Sequence, residues 1–177
     1  KMLKEAQEED DKTGLSRCYN IMSQIYTVKR LDSMAFEWQL KEIELTEKYD
    51  LENYNISQTY SQISSYYINT NQPEKALEAL KKADATAYSP TQKISVQLEY
   101  VNYYSKFGDM QAAEKILNEC KTAFDQDKRL WSIKKRLYNI EYVYYLQSKQ
   151  YPKALEAAKK QEAEELNLSE SIQNSVH

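Results

Sequence analysis

The chain has 177 residues, of which 24 are Lys or Arg and 27 are Asp or Glu, so its formal net charge is −3. Only two glycines and three prolines interrupt a composition rich in helix-forming residues, which predicts helices almost throughout. The evenly spread charges argue against attraction to nucleic acid. The longest apolar run, at 142–146, is far shorter than the roughly 20 residues that a membrane-spanning helix needs.

Apolar periodicity and helix punctuation predict a succession of helices. Ser89 and Asp109 are residue types that cap the start of a helix, and Pro73 and Pro152 stand at first helical positions, where no N–H donor is needed. In chain order, the predicted helices span 1–9, 13–29, 31–48, 51–69, 73–85, 90–107, 110–124, 128–148 and 152–165.

Both ends of the sequence resemble helices that have been cut. The chain begins at Lys1 without an initiator methionine, and 1–9 reads like the tail of an earlier helix. Asn167 and Glu170 form a capping pattern for a partial helix at 168–177 that stops with the sequence, at His177. We therefore expect an excised piece of a larger protein, with a possible homodimer through the two ends.

A tyrosine and an alanine recur in register along the chain. The alanines are separated by 41, 37 and 41 residues, and a tyrosine stands nine positions before each of them. Self-similarity at such a period predicts stacked units, each with the tyrosine on a first helix, helix A, and the alanine on a second, helix B. The alanines are Ala35, Ala76, Ala113 and Ala154, the tyrosines are Tyr26, Tyr67, Tyr104 and Tyr145, and the predicted units are 13–48, 51–85, 90–124 and 128–165.

The two recurring residue types suit the packing of one helix on another. A small alanine lets two antiparallel helices cross closely, where a larger side chain would overpack, and the tyrosine fills the space beside it. Three of these tyrosines are preceded by another tyrosine. We predict that the second member of each pair lies in the core and that the first, at Tyr66, Tyr103 and Tyr144, is freer to face a partner.

This register resembles the tetratricopeptide repeat family, in which a break with glycine separates a tyrosine-bearing helix from an alanine-bearing helix. The break at 108–110 matches the family pattern best, 149–151 keeps only the tyrosine, and 30–31 and 71–73 depart further. The resemblance implies an all-α fold: a right-handed α-solenoid of about four helix-turn-helix repeats, forming one array over 1–177. It also implies a non-catalytic scaffold that binds a protein or a peptide.

The residues themselves offer no catalytic, cofactor or metal site. The single histidine is the last residue, and Cys18 and Cys120 have no histidine to activate them. Two glycines cannot build a nucleotide-binding loop, and the acidic run at 8–11 lacks the spacing of a calcium loop. We therefore predict that the chain is not an enzyme. In a stacked array Cys18 and Cys120 would lie on helices too far apart for a disulfide, so we also predict that they are buried and free.

In the tetratricopeptide family helix A lines the concave groove, so the resemblance implies that binding residues come from it. Amide side chains both donate and accept hydrogen bonds, which suits an extended peptide. A solvated groove without a specific ligand is the alternative. The implied groove residues are Arg17, Asn20, Gln24, Gln58, Gln62, Ser65, Asn69, Glu99, Asn102, Lys106, Arg136, Asn139 and Gln147, with Arg17 and Arg136 as anchors for a carboxylate.

A second functional class stays open from the sequence alone. Lengthened, tyrosine-rich arrays resemble the sensory or regulatory segments of bacterial membrane-bound sensor kinases and transcriptional regulators, where the array relays a signal or dimerises. The sequence does not fix the compartment. That likeness would favour the periplasm, and the cytoplasm is expected otherwise. In either class we expect protein partners, with neither nucleic-acid contact nor membrane insertion by this segment.

Overall fold

A computed structural model describes the backbone of residues 2–175 and the side chains of residues 2–166. All regular structure in this part of the chain is helical, without a β-strand, so the predicted all-α class is confirmed. The helices are α1 (Met2–Glu8), α2 (Lys12–Val28), α3 (Asp32–Tyr49), α4 (Ile56–Asn69), α5 (Pro73–Thr86), α6 (Pro90–Phe107), α7 (Met110–Gln126), a 3₁₀ helix (Lys128–Ile133), α8 (Lys134–Gln147) and α9 (Tyr151–Ser175).

The chain forms two compact units, Lys1–Thr86 and Ala87–His177, called unit 1 and unit 2 below. In unit 1, α2 pairs with α3 and α4 with α5, while α3 also contacts α4 and α1 packs on α2. In unit 2, α6 pairs with α7 and α8 with α9, and α8 also contacts α6. Each unit is thus two consecutive helical hairpins, which is consistent with an α-solenoid. A single array over 1–177 with a right-handed superhelix stays a prediction.

The turn inside each of the four hairpins has a residue in the left-handed region of φ. These residues are Arg30 (φ 57°), Asn71 (φ 59°), Gly108 (φ 98°) and Lys149 (φ 58°). Each lies five positions before the recurring alanine of its hairpin. Only the third is a glycine. The other three turns depart from the tetratricopeptide pattern in sequence, but they have a left-handed backbone conformation at the same position.

Backbone hydrogen bonds explain why this conformation recurs. In every turn, the backbone carbonyl of the recurring tyrosine accepts a hydrogen bond. It accepts from the residue after the left-handed one at 2.8–2.9 Å in the first, second and fourth hairpins, and from Gly108 itself at 3.0 Å in the third. On the other side, the N–H of each registered alanine donates to the carbonyl four residues earlier at 3.0–3.1 Å. These are the bonds that close a helix C-terminus and open the next helix.

The connections between hairpins account for the unequal spacing of the alanines. The two 41-residue spacings cross the long connections 50–55 and 127–133, whereas the 37-residue spacing crosses only 87–89. The predicted helix start at 51 was therefore too early. Helical structure does begin at 128, as predicted, but as the 3₁₀ helix, and α8 follows from Lys134. Near 51, the Asn53 side chain accepts from the N–H of Asn55 at 2.9 Å, and such local bonding competes with helix formation.

The last helix differs from the sequence-based expectation. α9 runs without a break from Tyr151 to Ser175, so the predicted separation into 152–165 and 168–177 was wrong. A capping pattern is only a local preference, and the structure has no turn at that point to use it. The side chains of Asn167 and Glu170, and His177 altogether, lie outside the described residues.

The registered alanines are buried, as predicted, with exposed fractions of 4 % or less. The prediction for the tyrosine pairs was wrong in the fourth hairpin, where Tyr144 is buried and Tyr145 is only half-buried. Tyr144 extends the stripe of Leu137 and Ile140 at helical spacing and joins the apolar cluster of unit 2. In the second and third pairs, both tyrosines are half-buried.

Candidate functional site

The predicted groove residues differ widely in exposure. Glu99 is buried; Asn20, Gln62, Ser65, Asn102 and Arg136 are half-buried; and Arg17, Gln24, Gln58, Asn69, Lys106, Asn139 and Gln147 are exposed. The structure gathers several of them into two cavities of unit 1 and one buried cluster of unit 2. Gln58, Lys106, Asn139 and Gln147 belong to none of these three places.

One cavity of unit 1, of about 480 Å³, lies where α3 and α4 run side by side. We call it the amide cleft. Three predicted groove residues line it, Gln62, Ser65 and Asn69, all from α4. Gln39 of α3, which the sequence analysis missed, is buried and donates to the side-chain oxygen of Gln62 at 3.0 Å. Tyr66 and exposed Asp32 also belong to the wall.

The wall residue Tyr66 is fixed by its neighbours. Its ring stacks on that of Phe36, with centroids 4.1 Å apart and an interplanar angle of 16°. The cleft therefore offers donors and acceptors on amide side chains beside a fixed aromatic ring. This chemistry can bind a peptide backbone or a polar side chain.

A second cavity of unit 1, of about 500 Å³, lies between α2, α3 and the connection 50–55. We call it the acidic cavity, because the buried carboxylate of Glu42 lines it. Two predicted groove residues, Arg17 and Asn20, belong to its wall. The Asn20 amide donates to both carboxylate oxygens of Glu42, at 3.1 and 3.3 Å. Gln24 in turn donates to the oxygen of Asn20 at 2.7 Å.

In unit 2 the structure brings together Glu99, Asn102 and Arg136. The Arg136 guanidinium lies 2.9 Å from one oxygen of the buried Glu99 carboxylate, and the Asn102 amide donates to the other oxygen at 2.8 Å. Arg136 therefore already has an internal partner. This differs from the expectation of a free anchor for a carboxylate, and Glu99 is not a surface contact.

A related ion pair in the same unit was missed from the sequence. Glu141 is buried, and Lys121 contacts its carboxylate at 2.9 Å. Burial lowers the pKa of Lys121, but the hydrogen bonds and charges of Glu141 and Tyr145 raise it by more. The pKa of Lys121 is therefore above its ordinary value. Glu141 stands four residues after Leu137, on the buried stripe of α8. A charged residue on an apolar stripe was the signal that pointed to it.

In the described part of the chain, no group of three or more His, Cys, Asp or Glu side chains is arranged to hold a metal ion. Across the same residues, none of the helices has the length and apolar character needed to span a membrane. Cys18 and Cys120 are free and buried, as predicted, and burial raises the pKa of the Cys120 thiol to about 12.

The hairpins and their recurring turns define the chain as a helical-repeat protein. A comparison with protein families makes this specific, because the family described as 26S proteasome subunit RPN7 matches residues 27–162. This match covers more than half of the chain, and the chain belongs to that family. No curated protein matches it.

The family differs from the one that the sequence resembled. It is a helical-repeat family, but it is not the tetratricopeptide repeat family. It gives no support to the expectation of a bacterial fragment, or to a segment of a bacterial sensor kinase.

Proposed function

We propose that the chain is a non-catalytic helical scaffold that binds another protein through the amide cleft. The observation that carries the proposal is the match over 27–162 to a family of subunits of a protein assembly. A subunit works by contact with other proteins, and helical-repeat surfaces serve this purpose. On the finer level, the tyrosine–alanine register supports a tetratricopeptide-like mode, in which an extended segment of the partner lies across helix A.

The amide cleft supports this proposal better than the other places do. Its predicted residues lie next to one another on one helix, and their amides are not tied to a charged group. When the bond between Gln39 and Gln62 opens, it frees one donor and one acceptor. A peptide group of the partner also has one donor, its N–H, and one acceptor, its carbonyl. It can therefore pair with the freed groups of Gln39 and Gln62 and leave none of them without a hydrogen bond.

In unit 2, by contrast, the only clustered groove residues serve the ion pair of Glu99. Five exposed residues outside the cleft stay predicted contacts of the partner: Gln24 and Gln58 in unit 1, and Lys106, Asn139 and Gln147 in unit 2. They supply exposed amides and one cation.

Site-specific photo-crosslinking tests the proposal. A photoreactive amino acid replaces Asn69 at the exposed edge of the cleft or, as a control, Lys81, which is exposed on α5. In extracts of the source cells, we expect the probe at 69 to cross-link a defined protein and the probe at 81 to give none.

A second arm uses Asn69→Lys, which places a bulky charge at the mouth of the cleft. Binding of the cross-linked partner should fall by at least about tenfold, while the melting temperature stays unchanged. Equal cross-linking at 69 and 81, or full binding by the variant, would place the interface elsewhere and overturn the proposal.

A further inference from the structure

The acidic cavity contains a buried charge that no cation of the described residues contacts, although exposed Arg17 belongs to the cavity wall. Glu42 has an exposed fraction of 1 %. Its carboxylate accepts from Asn20, from Asn53 at 2.8 Å and from Thr59 at 3.1 Å. All these donors are neutral, and no lysine or arginine of the described residues forms an ion pair with Glu42. Buried charges in proteins are as a rule paired, so this arrangement needs a reason.

Among the described residues, the other two buried glutamates, Glu99 and Glu141, each have the cation that Glu42 lacks. Glu99 has an arginine on one oxygen and an asparagine on the other, and Glu141 has a lysine at 2.9 Å. Glu42 has the asparagine part of the Glu99 arrangement but not its cation. Glu42 also borders an open cavity of about 500 Å³, which is in the size range of ligand sites.

The position of Asn20 indicates the shape of the absent group. Its single amide nitrogen spans both oxygens of Glu42 at 3.1 and 3.3 Å, both longer than the 2.8 Å bond from Asn53. A planar guanidinium makes two parallel bonds to the two oxygens of a carboxylate, and these charge-assisted bonds are stronger than neutral ones. Asn20 therefore holds, with weaker bonds, the place that a guanidinium fork fits.

We propose that the acidic cavity recognises a guanidinium group, with Glu42 as its counter-ion and Asn20 as the side chain that it displaces. Asn53 and Thr59 keep their bonds and hold the carboxylate in place. After Asn20 turns away, its oxygen can still accept from Gln24, which now donates to it at 2.7 Å, and its amide NH2, which loses Glu42, can donate to water in the open cavity. On the cavity wall, exposed Glu52 adds a second negative charge and exposed Arg17 adds a positive one. This site is separate from the amide cleft and does not depend on the function proposed for it.

Titration of the ¹⁵N-labelled chain with Nα-acetyl-arginine amide tests the proposal. This probe carries its only charge on the guanidinium. We expect saturable shifts in the side-chain amides of Asn20 and Asn53 and in the backbone of 50–55. Nα-acetyl-citrulline amide, which has the same shape without the charge, should bind at least about tenfold more weakly. Equal binding of the two probes, or shifts elsewhere only, would overturn the proposal.

Two further probes define the ligand. The lysine analogue Nα-acetyl-lysine amide should bind more weakly than the arginine probe, because an ammonium lacks the planar fork; equal affinity would remove the claim for guanidinium. Free arginine distinguishes the two sources of the group. Affinity equal to that of the blocked probe indicates an arginine side chain of a protein, and much tighter binding indicates the free amino acid.

Three variants test the residues. Glu42→Gln should weaken binding by about ten- to a hundredfold, whereas Glu44→Gln, the same change at an exposed position of the same helix, should leave it unchanged. Asn20→Ala should bind the probe several-fold more tightly, since nothing has to be displaced. A purely structural Asn20 would not raise the affinity on removal, so this increase remains a test even where Glu42→Gln fails to fold. Unchanged or weaker binding by Asn20→Ala would contradict the proposal.

Discussion

Arg136 is the residue whose role the structure changes most. From the sequence it was one of two anchors for a carboxylate of a partner. In the structure it compensates Glu99, which has an exposed fraction of 3 %. A buried carboxylate that loses its cation is strongly destabilising, because it keeps its desolvation cost without the compensating charge.

We therefore expect Arg136→Ala to lower the free energy of unfolding by about 2–3 kcal/mol. The value is at the lower end of the usual range, since Asn102 still donates to Glu99 and the Arg136 side chain is 30 % exposed. Urea denaturation measures it. Arg129→Ala is the control, because that arginine pairs with Asp127 while 76 % exposed, and its loss should cost less than about 1 kcal/mol. Equal effects of the two changes would contradict this account.

A second residue-scale prediction concerns pH. Glu47 accepts from the hydroxyl of Tyr60 at 2.6 Å and from Lys82 at 2.9 Å, and these hydrogen bonds lower the pKa of Glu47 from its ordinary value of 4.5. Because the folded pKa is the lower one, the stabilisation is present above pH 4.5 and is lost as the pH falls through the folded pKa.

Glu47→Gln should therefore be less stable than the wild type at pH 7 by less than about 1 kcal/mol, since both charged side chains are about half exposed. The difference should shrink in acid. Thermal melts of the two proteins at pH 7 and at about pH 3 compare them, with Glu44→Gln as a matched control. A difference that grows in acid would mean that the sign is wrong.

At the scale of the helical hairpin, much could be predicted from the sequence, because the information is local. The spacing of the four alanines located every hairpin, and capping residues such as Ser89 and Asp109 placed the starts of α6 and α7 correctly. The long connections could not be placed in the same way. Asn53 takes part in the cluster around Glu42, and such a contact between distant positions leaves no periodic trace.

The turns give the first prediction at this scale. A lysine at φ 58° is strained relative to glycine, by about 1 kcal/mol. Lys149→Gly should therefore raise the free energy of unfolding by up to about 1 kcal/mol, as measured by urea denaturation. The same replacement at Lys159, exposed within α9, should lower it by about 1 kcal/mol, because glycine is a poor helix former. Destabilisation by both changes would show that the turn is not strained.

The interfaces within the hairpins give the second prediction at this scale. Ala76 is fully buried on α5, where Ser64 of α4 donates to its carbonyl at 3.1 Å. Ala76→Leu should cost about 1–3 kcal/mol through overpacking. Ala85→Leu, on the same helix but exposed, should change stability by less than about 0.5 kcal/mol. Melting temperatures compare the two, and a tolerated Ala76→Leu would mean that the helices are not held at close distance.

At the scale of the whole chain, the two units differ in what fills their interiors. Of the described residues, nine buried polar or charged side chains belong to unit 1 and three to unit 2. Unit 2 has instead a continuous apolar cluster around Leu98, Leu117 and Leu137. Composition averaged over the chain could not reveal this difference, because serines such as Ser57 and Ser64 resemble surface residues until their partners are known.

This contrast predicts unequal stability for the separated units. Expressed alone, 87–177 should fold with a cooperative transition, since burial of large apolar side chains is the main stabilising term. The piece 1–86 should unfold at a lower urea concentration, because hydrogen bonds contribute less per buried group. Circular dichroism during urea titration measures both, and a higher midpoint for 1–86 would contradict the ranking.

The serine-rich face of α4 has a further consequence, for the way in which stability changes with temperature. Ser57 and Ser64 donate to backbone carbonyls of α5 at 2.8 and 3.1 Å, so part of the interface exposes polar rather than apolar surface when it opens. Exposure of apolar surface raises the heat capacity of unfolding, and exposure of polar surface lowers it. We therefore expect a smaller heat-capacity change per residue for unit 1 than for unit 2, and a stability curve that is flatter on both the cold and the warm side.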